Sequence, residues 1–233
     1  LSSIPMKIDT PFSQQDLPLP AKLWWRLVTF GFRLLYNEMA WTYDLVAWVV
    51  SLGQWHNWQR AALYHLNTKP GDHVLELAHG TGNFQLDLFS AGYKCVGLDL
   101  SPFMGHLARR KLKRHHLKSP LIRGRAQRLP FPDNSFDAIV STFPTPFIIE
   151  PETLAEAHRI LKPGKRLVIV PSGVLTGGGV LKQGLELAYR ITGQRGPWGI
   201  HLEEHFLNAG FSVEMLIQKC PYSVAYVIIA TRL

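Results

Sequence analysis

From about residue 72 the chain alternates short apolar runs with amphipathic stretches. "HVLELA" (73–78) predicts a strand, and "FQLDLFSAG" (84–92) a helix closed by Gly92. "KCVGLDL" predicts the next strand. "SPFMGHLARRKLKRHH" predicts a helix with Ser101 as N-cap and Pro102 at its first position, where the missing N–H is not needed. "PLIRGRA" is a weaker strand and "FDAIVST" (136–142) a clear one. "PETLAEAHRILKPG" predicts a helix that stops at Pro163-Gly164, followed by the buried strand "RLVIVP". Strand alternating with helix implies a parallel sheet covered on both faces. The end of the chain breaks the alternation. After the helical "HLEEHFLNAG", the runs "FSVEMLIQ" and "SVAYVIIATRL" are separated by a short turn around Pro221, which implies an antiparallel hairpin. The expected fold is α/β, with a seven-stranded, mostly parallel sheet in which the hairpin places one antiparallel strand.

Two regions lie outside this pattern. Positions 21–67 read as helical throughout, which predicts an N-terminal helical cap over residues 1–70 and a ligand-binding domain over 71–233. Residues 172–199 sit between a strand and a helix as an insertion. The centre, "VLKQGLELAYRI", has helical periodicity with Leu181, Leu185 and Ala188 on one face, and glycines flank it. A lid or wall over a substrate pocket is the functional reading; a surface excursion is the alternative.

Composition narrows the class. With 233 residues, 46% hydrophobic and 18% charged, the chain can bury a substantial core. Cys95 and Cys220 are too few for a disulfide framework and read as reduced packing residues, which suits a cytoplasmic protein. No run approaches the roughly 18 apolar residues of a membrane span, and "LSSIPMKIDT" lacks the order of a signal peptide. No metal-ligand spacing stands out. Of the net charge of +8, much sits in "RRKLKRHH" (109–116), either a polyanion site or a solvated helix end. No aromatics other than histidine are interleaved there, so stacking on bases, and with it specific nucleic-acid binding, is not expected.

The loop in "VLELAHGTGNFQ" (74–85) carries the chemistry. A triphosphate loop needs Gly-Lys-Ser/Thr, and Gly82-Asn83-Phe84 stands instead. A dinucleotide fingerprint needs a small residue three positions after Gly82, and Gln85 stands there, which disfavours a nicotinamide-type oxidoreductase. Glu76 at the end of one strand suits an ammonium, and Asp99 at the end of the next suits the two hydroxyls of a ribose. Each has an ordinary reading, as a strand-end charge and a helix cap. Ammonium plus ribose without phosphate describes S-adenosyl-L-methionine.

Residues 73–172 resemble a class I S-adenosylmethionine-dependent methyltransferase, similar to the quinone-biosynthesis C-methyltransferases and the methyltransferase type 11 group. "VLELAHGTG" is similar to the family's glycine-rich loop and "VGLDLSPFM" to its second motif. "RAQRLPFPDNSFDAIVS" resembles the third, and "EAHRILKPGKRLVIV" the helix, turn and fifth strand. The resemblance implies a Rossmann-like fold and a cofactor site of Glu76, Ala78, His79, Gly80, Thr81, Gly82, Asp99, Leu100, Met104, Ala126, Gln127, Ser141 and Thr142. Asp99 would hold the ribose, Leu100 and Met104 border the adenine, and Ala126 and Gln127 meet the adenine amine. Ala78 replaces the first glycine, His79 a cysteine or small residue, and Gln127 a common acid.

The acceptor is less defined. "STFPTPF" after the fourth strand is not the Asn/Asp-Pro-Pro-aromatic motif of amide and nucleobase N-methyltransferases, which argues against DNA. "AWTYDLVAWVVSLGQWHNWQR" resembles the quinone enzymes' Tyr-Asp segment, which by that resemblance makes Tyr43 a candidate base, a buried packing tyrosine being the alternative, with His56 and His79 weaker candidates. "AKLWWRLVTFGFRLLYNEM" places Lys22, Arg26, Thr29, Arg33 and Asn37 on one stripe, and Leu23, Trp24, Leu27, Val28, Leu34 and Leu35 on a wide apolar face. Such a helix either lies on an anionic membrane, making the protein peripheral on its inner face, or packs on its own domain. The expected function is methyl transfer to a small or lipid-like acceptor, such as a quinone precursor or a phospholipid amine. A soluble small-molecule O/N-methyltransferase and a non-catalytic S-adenosylmethionine-binding protein are the alternatives.

Overall fold

A computed structural model describes residues 39–176 and 202–233, together with 23, 26, 27, 30, 31, 33 and 34. β1 (His73–Leu77) pairs in parallel with β2 (Lys94–Asp99) on one side and β4 (Phe136–Thr142) on the other. β3 (Leu121–Arg123) extends the sheet beyond β2, and β5 (Leu161–Leu175) extends it beyond β4, both in parallel. β7 (Ser223–Arg232) runs antiparallel between β5 and β6 (Phe211–Cys220). The order is β3-β2-β1-β4-β5-β7-β6, with the single internal antiparallel strand that the terminal hairpin predicts. Strand order reverses between β1 and β4, so the crevice for a ligand lies at the carboxyl ends of those strands.

Alternation along each strand divides the core into two layers. Leu75, Leu77, Ile139, Leu167 and Ile169 face α5 (Pro151–Ile160) and α6 (Leu202–Asn208) through Leu154, Ala157 and Phe206. Val74, Val140, Val168, Val170 and Val227 face α3 (Asn83–Ser90) through Phe84 and Leu88. α4 (Pro102–Arg114) starts as its sequence predicts, with Ser101 Oγ accepting from the Met104 amide.

Two boundaries differ from the sequence expectation. The helix expected to reach Pro163-Gly164 ends at Ile160, because the amides of Asn134 and Ser135 take the carbonyls of Arg159 and Ile160. Leu161 is then already extended and pairs with Phe136. At the other end, β5 does not stop at Pro171. Its register with β7 shifts between Ile169 and Ser172, which accommodates a proline that has no N–H to donate, and pairing resumes through Leu175. Residues 172–175 therefore belong to the sheet, and the expected insertion is shortened at its start. The lid helix expected within it lies outside the described residues.

The N-terminal stretch shows no strand among its described residues. Residues 23, 26, 27, 30, 31, 33 and 34 are helical, with Leu23, Leu27 and Phe30 exposed. A 3₁₀ turn at Ala40–Thr42 leads into α1 (Tyr43–Ser51), which Leu52 and Gly53 end in the left-handed region. α2 (Trp55–Arg60) and the 3₁₀ turn Ala61–His65 are built into the sheet's face through Trp58, Ala62 and Leu66.

Trp58 sets the closest approach. A Cβ added to Gly173 of β5 would fall 2.1 Å from the Trp58 indole. Gly173→Ala should therefore cost about 2 kcal/mol by overpacking. A urea titration should show a lower midpoint with an unchanged slope, and an unmoved midpoint would mean that α2 shifts freely on the sheet.

Candidate functional site

The loop after β1 is held by its backbone. Ala78, Gly80 and Gly82 all have positive φ, at 59°, 53° and 81°. For Ala78 this is uncommon backbone, so replacing the first glycine introduces local strain more than the crowding its methyl suggests. The Ala78 amide donates to Leu98 O at 2.8 Å, and the Gly80 amide to Asp99 Oδ2 at 2.9 Å. Asp99 Oδ1 accepts from the Ser101 amide at 2.8 Å. One carboxylate thus fastens two loops. Gly82 is required twice. It caps α3 in the left-handed region, and a Cβ there would sit 2.9 Å from Ala108 Cβ of α4.

His79 is buried, with its Nδ1 at 2.9 Å from Gly80 O. Burial holds its pKa below the ordinary 6.5, so the ring is neutral and Nδ1 carries the proton. It fills the space over Gly97, where a Cβ would come within 2.9 Å of the ring. These contacts make it a packing residue of the loop.

Glu76 shares its side of β1 with Val74, facing α3. Its side chain is 1% exposed, and Oε2 accepts from Gln85 Nε2 at 2.7 Å. Gln85 Oε1 accepts in turn from Ser119 Oγ at 3.0 Å. The carboxylate lies beneath the loop with Gln85 as its partner. Burial pushes its pKa up to about 8, with the charges of Asp99 and Asp87 adding and the Gln85 bond opposing. Gln85 occupies the position a dinucleotide site keeps small. The signal was present in the sequence, since a polar residue falls on the apolar face with Phe84 and Leu88.

The rim of the loop is taken by residues that sequence reading did not connect. Asp44 of α1 accepts from Thr81 Oγ1 at 2.6 Å, Asn83 Nδ2 at 3.0 Å and Lys111 Nζ at 2.8 Å. Burial pushes the Asp44 carboxyl up, but these bonds and the Lys111 charge outweigh it and hold the pKa below 3.8. Lys111 also reaches Thr81 and Asn83. A cation from the basic run therefore does stand beside the loop, but paired with Asp44, so no net charge there favours phosphate.

At the end of β4, Ser141 Oγ donates to Leu77 O, and Thr142 Oγ1 accepts from Gln59 Nε2 at 3.1 Å. The buried Gln59 Oε1 has no partner among the described residues. Phe143 follows with φ 53°, an outlier for a bulky residue, and stacks on Trp55 with ring centroids 3.8 Å apart. Tyr43 meets the same indole edge-on at 6.3 Å. His56 instead lies 3.4 Å from Asp87 Oδ2 on α3. Leu100 is exposed, while Met104 and Ala126 are buried. Gln127 donates its amide N–H to Glu150, which leaves the amide oxygen as an acceptor. No group of three metal-ligating side chains occurs among the described residues.

The sheet order, the bare loop after β1 and the acid closing β2 resemble those of class I S-adenosyl-L-methionine-dependent methyltransferases. Residues 75–169 match the family model described as a methyltransferase domain. Among curated proteins, the demethylmenaquinone methyltransferase of Symbiobacterium thermophilum is 37% identical over 144 residues, 58% of this chain and 57% of that protein. That of Beutenbergia cavernae is 39% identical over 136 residues, 58% of this chain and 55% of that one. The chain thus spans little more than half the length of these relatives. Haemonchus contortus phosphoethanolamine N-methyltransferase 2, solved with S-adenosyl-L-methionine, shares the fold with a TM-score of 0.59 at 16% identity, over 77% of this chain and 53% of that one.

Glu76 gives a pH signature. An acid whose folded pKa is about 8 against an ordinary 4.5 keeps its proton when folded after the unfolded chain has lost it. Its contribution to the stability of the ligand-free protein should fall as pH rises from about 4.5 to about 8. Glu76→Gln should remove that slope and leave the opposite one from His79, read as denaturation midpoints at pH 5, 6.5 and 8. Parallel profiles for the two proteins would show that Glu76 is not held protonated.

Proposed function

We propose that the chain transfers the methyl group of S-adenosylmethionine to a hydrophobic ring acceptor of the quinone-precursor type. The observation that carries this reading is the wall at the end of β4, where strained Phe143 stacks on Trp55 beside the unpartnered Gln59 oxygen. Flat apolar surface with one buried acceptor suits a ring bearing a hydroxyl, and the curated relatives' names point the same way. When bound, the cofactor supplies a methyl group on a sulfonium. The protein's part is to align the acceptor with that methyl and to exclude water.

In this reading the loop 78–82 lies beneath the cofactor's methionine part, and Asp99 takes the ribose. Leu100, Met104, Ala126 and Gln127 surround the adenine, and Ser141 and Thr142 close the methyl side. Glu76 serves the ammonium from below, through the loop it supports. The described residues from 39 to about 52 cap the acceptor. Tyr43, against Trp55, is the preferred candidate to take the acceptor's proton, while His56 is half-exposed with its Nε2 3.4 Å from Asp87 Oδ2 on α3.

Turnover is the direct test. The chain should form S-adenosylhomocysteine with a demethylated menaquinone analogue and not with phosphoethanolamine. Asp99→Ala removes charge-assisted bonds worth roughly 1.5–3 kcal/mol, so the dissociation constant for S-adenosylmethionine should rise about tenfold or more. Binding without turnover of any ring acceptor would favour a non-catalytic binding protein.

A membrane setting extends the reading. Leu23, Leu27 and Phe30 are exposed beside Arg26 and Arg33, and Trp41, Leu45 and Trp48 expose a further apolar face. No helix among the described residues is long and apolar enough to cross a bilayer. Anionic vesicles should therefore sediment the protein at low salt and release it at high salt. Sedimentation unaffected by Arg26→Glu and Arg33→Glu would argue against this surface.

A further inference from the structure

Asp44 joins three elements that are distant in sequence. Its Oδ1 accepts from Thr81 and Asn83, which flank the left-handed Gly82, and its Oδ2 accepts from Lys111 of α4. Lys111 closes the circle by donating to Thr81 Oγ1 and Asn83 Oδ1. The four side chains form one bonded ring around the outer edge of the glycine loop. Tyr43 meets Trp55 edge-on, and Ser51 Oγ accepts from the Trp55 amide, so α1 is also joined to α2. α1 buries only Ala47 and Ser51, while Leu45, Trp48 and Val49 are exposed. An isolated surface ion pair contributes little, but here three donors converge on one carboxylate, and charge-assisted bonds are the stronger kind.

We infer that Asp44 is a positioning residue that latches α1 onto the cofactor loop, so that ordering of the loop and docking of the helix are a single equilibrium. Thr81 and Asn83 keep their full set of bonds only while α1 is in place, and α1 keeps its bonds to the loop only while the loop presents them. A ligand that orders the loop must then tighten α1, and by linkage a docked α1 must raise affinity for that ligand. The effect on the methyl donor rests on the cofactor reading above, whereas the latch itself does not need it. It also gives Tyr43, the neighbour of Asp44, a reason to arrive at the site when the donor does.

Hydrogen–deuterium exchange on the full chain separates the two. Without ligand, Asp44→Asn and, independently, Lys111→Gln should speed exchange in residues 43–52 and in residues 80–84 together. The double variant should be no worse than the poorer single one, because the residues act as a unit. With saturating S-adenosylmethionine, the wild type should gain protection in both segments and Asp44→Asn only in the loop. Donor affinity of Asp44→Asn should fall about tenfold, and the far-ultraviolet spectrum and sheet protection should stay unchanged. Faster exchange confined to 43–52, additive effects in the double variant, or equal donor-induced protection of 43–52 in wild type and variant would overturn the latch. Joint loosening without ligand, in a wild type that binds no S-adenosylmethionine, would support the latch and reject the cofactor reading.

Discussion

The carboxylate of Asp99 is the constraint on which the site depends. It stands at the end of β2, accepts the Gly80 amide at 2.9 Å and the Ser101 amide at 2.8 Å, and so joins the loop after β1 to the start of α4. The strands themselves set only the spacing of their ends. What turns two strand ends into a cradle is that both following loops are fastened to one side chain. Gly82 then has to pass within contact of Ala108, which brings α3 and α4 together and leaves the loop's open side bare of side chains.

Under the loop, a buried polar chain does the opposite work. A carboxyl with Glu76's burial keeps its proton up to about pH 8 and, even neutral, is costly to leave without a hydrogen-bond partner. Gln85 meets that requirement with its N–H and is itself held through its oxygen by Ser119, whose hydroxyl also lies 2.9 Å from Cys95 O. This explains the large residue where a pyrophosphate-binding loop needs a small one. The space a dinucleotide site uses for close helix–strand packing here holds the partner of an acid.

The sheet was legible in the sequence because each strand is short, apolar and bounded by a turn residue, and because the Pro221-Tyr222 turn is too short for anything but a hairpin. Its two boundary errors share a cause. Whether Ile160 continues a helix or begins a strand depends on the amides of Asn134 and Ser135, which arrive from another part of the chain. Likewise Pro171 reads as a strand end until β7 accommodates it with a register shift. Glu76, Gly80 and Gly82, and separately Asp99, could be singled out as candidates because each set sits in a short local motif. Asp44, Gln59 and Lys111 were not, since each takes its meaning from a partner 30 to 83 positions away. Phe143 carried a different kind of silence, because a positive φ at a bulky residue leaves no mark in sequence.

The two helices before the sheet are attached by different physics, and this bears on how the site can open. α2 is fixed by shape: Trp58 is fully buried against Gly173, and the indole of Trp55 stacks on Phe143. Packing of that kind is close to all-or-none, because a small displacement loses many contacts at once. α1 reaches the loop and α4 through polar bonds from Asp44 to Thr81, Asn83 and Lys111. Leu52 and Gly53, both left-handed, form the joint between them. Among the described residues, a rigid anchor, a left-handed joint and a charge-held outer helix make α1, with Tyr43 at its start, an element able to move relative to the glycine loop. The aromatic surface on the other side of the joint stays where the sheet puts it.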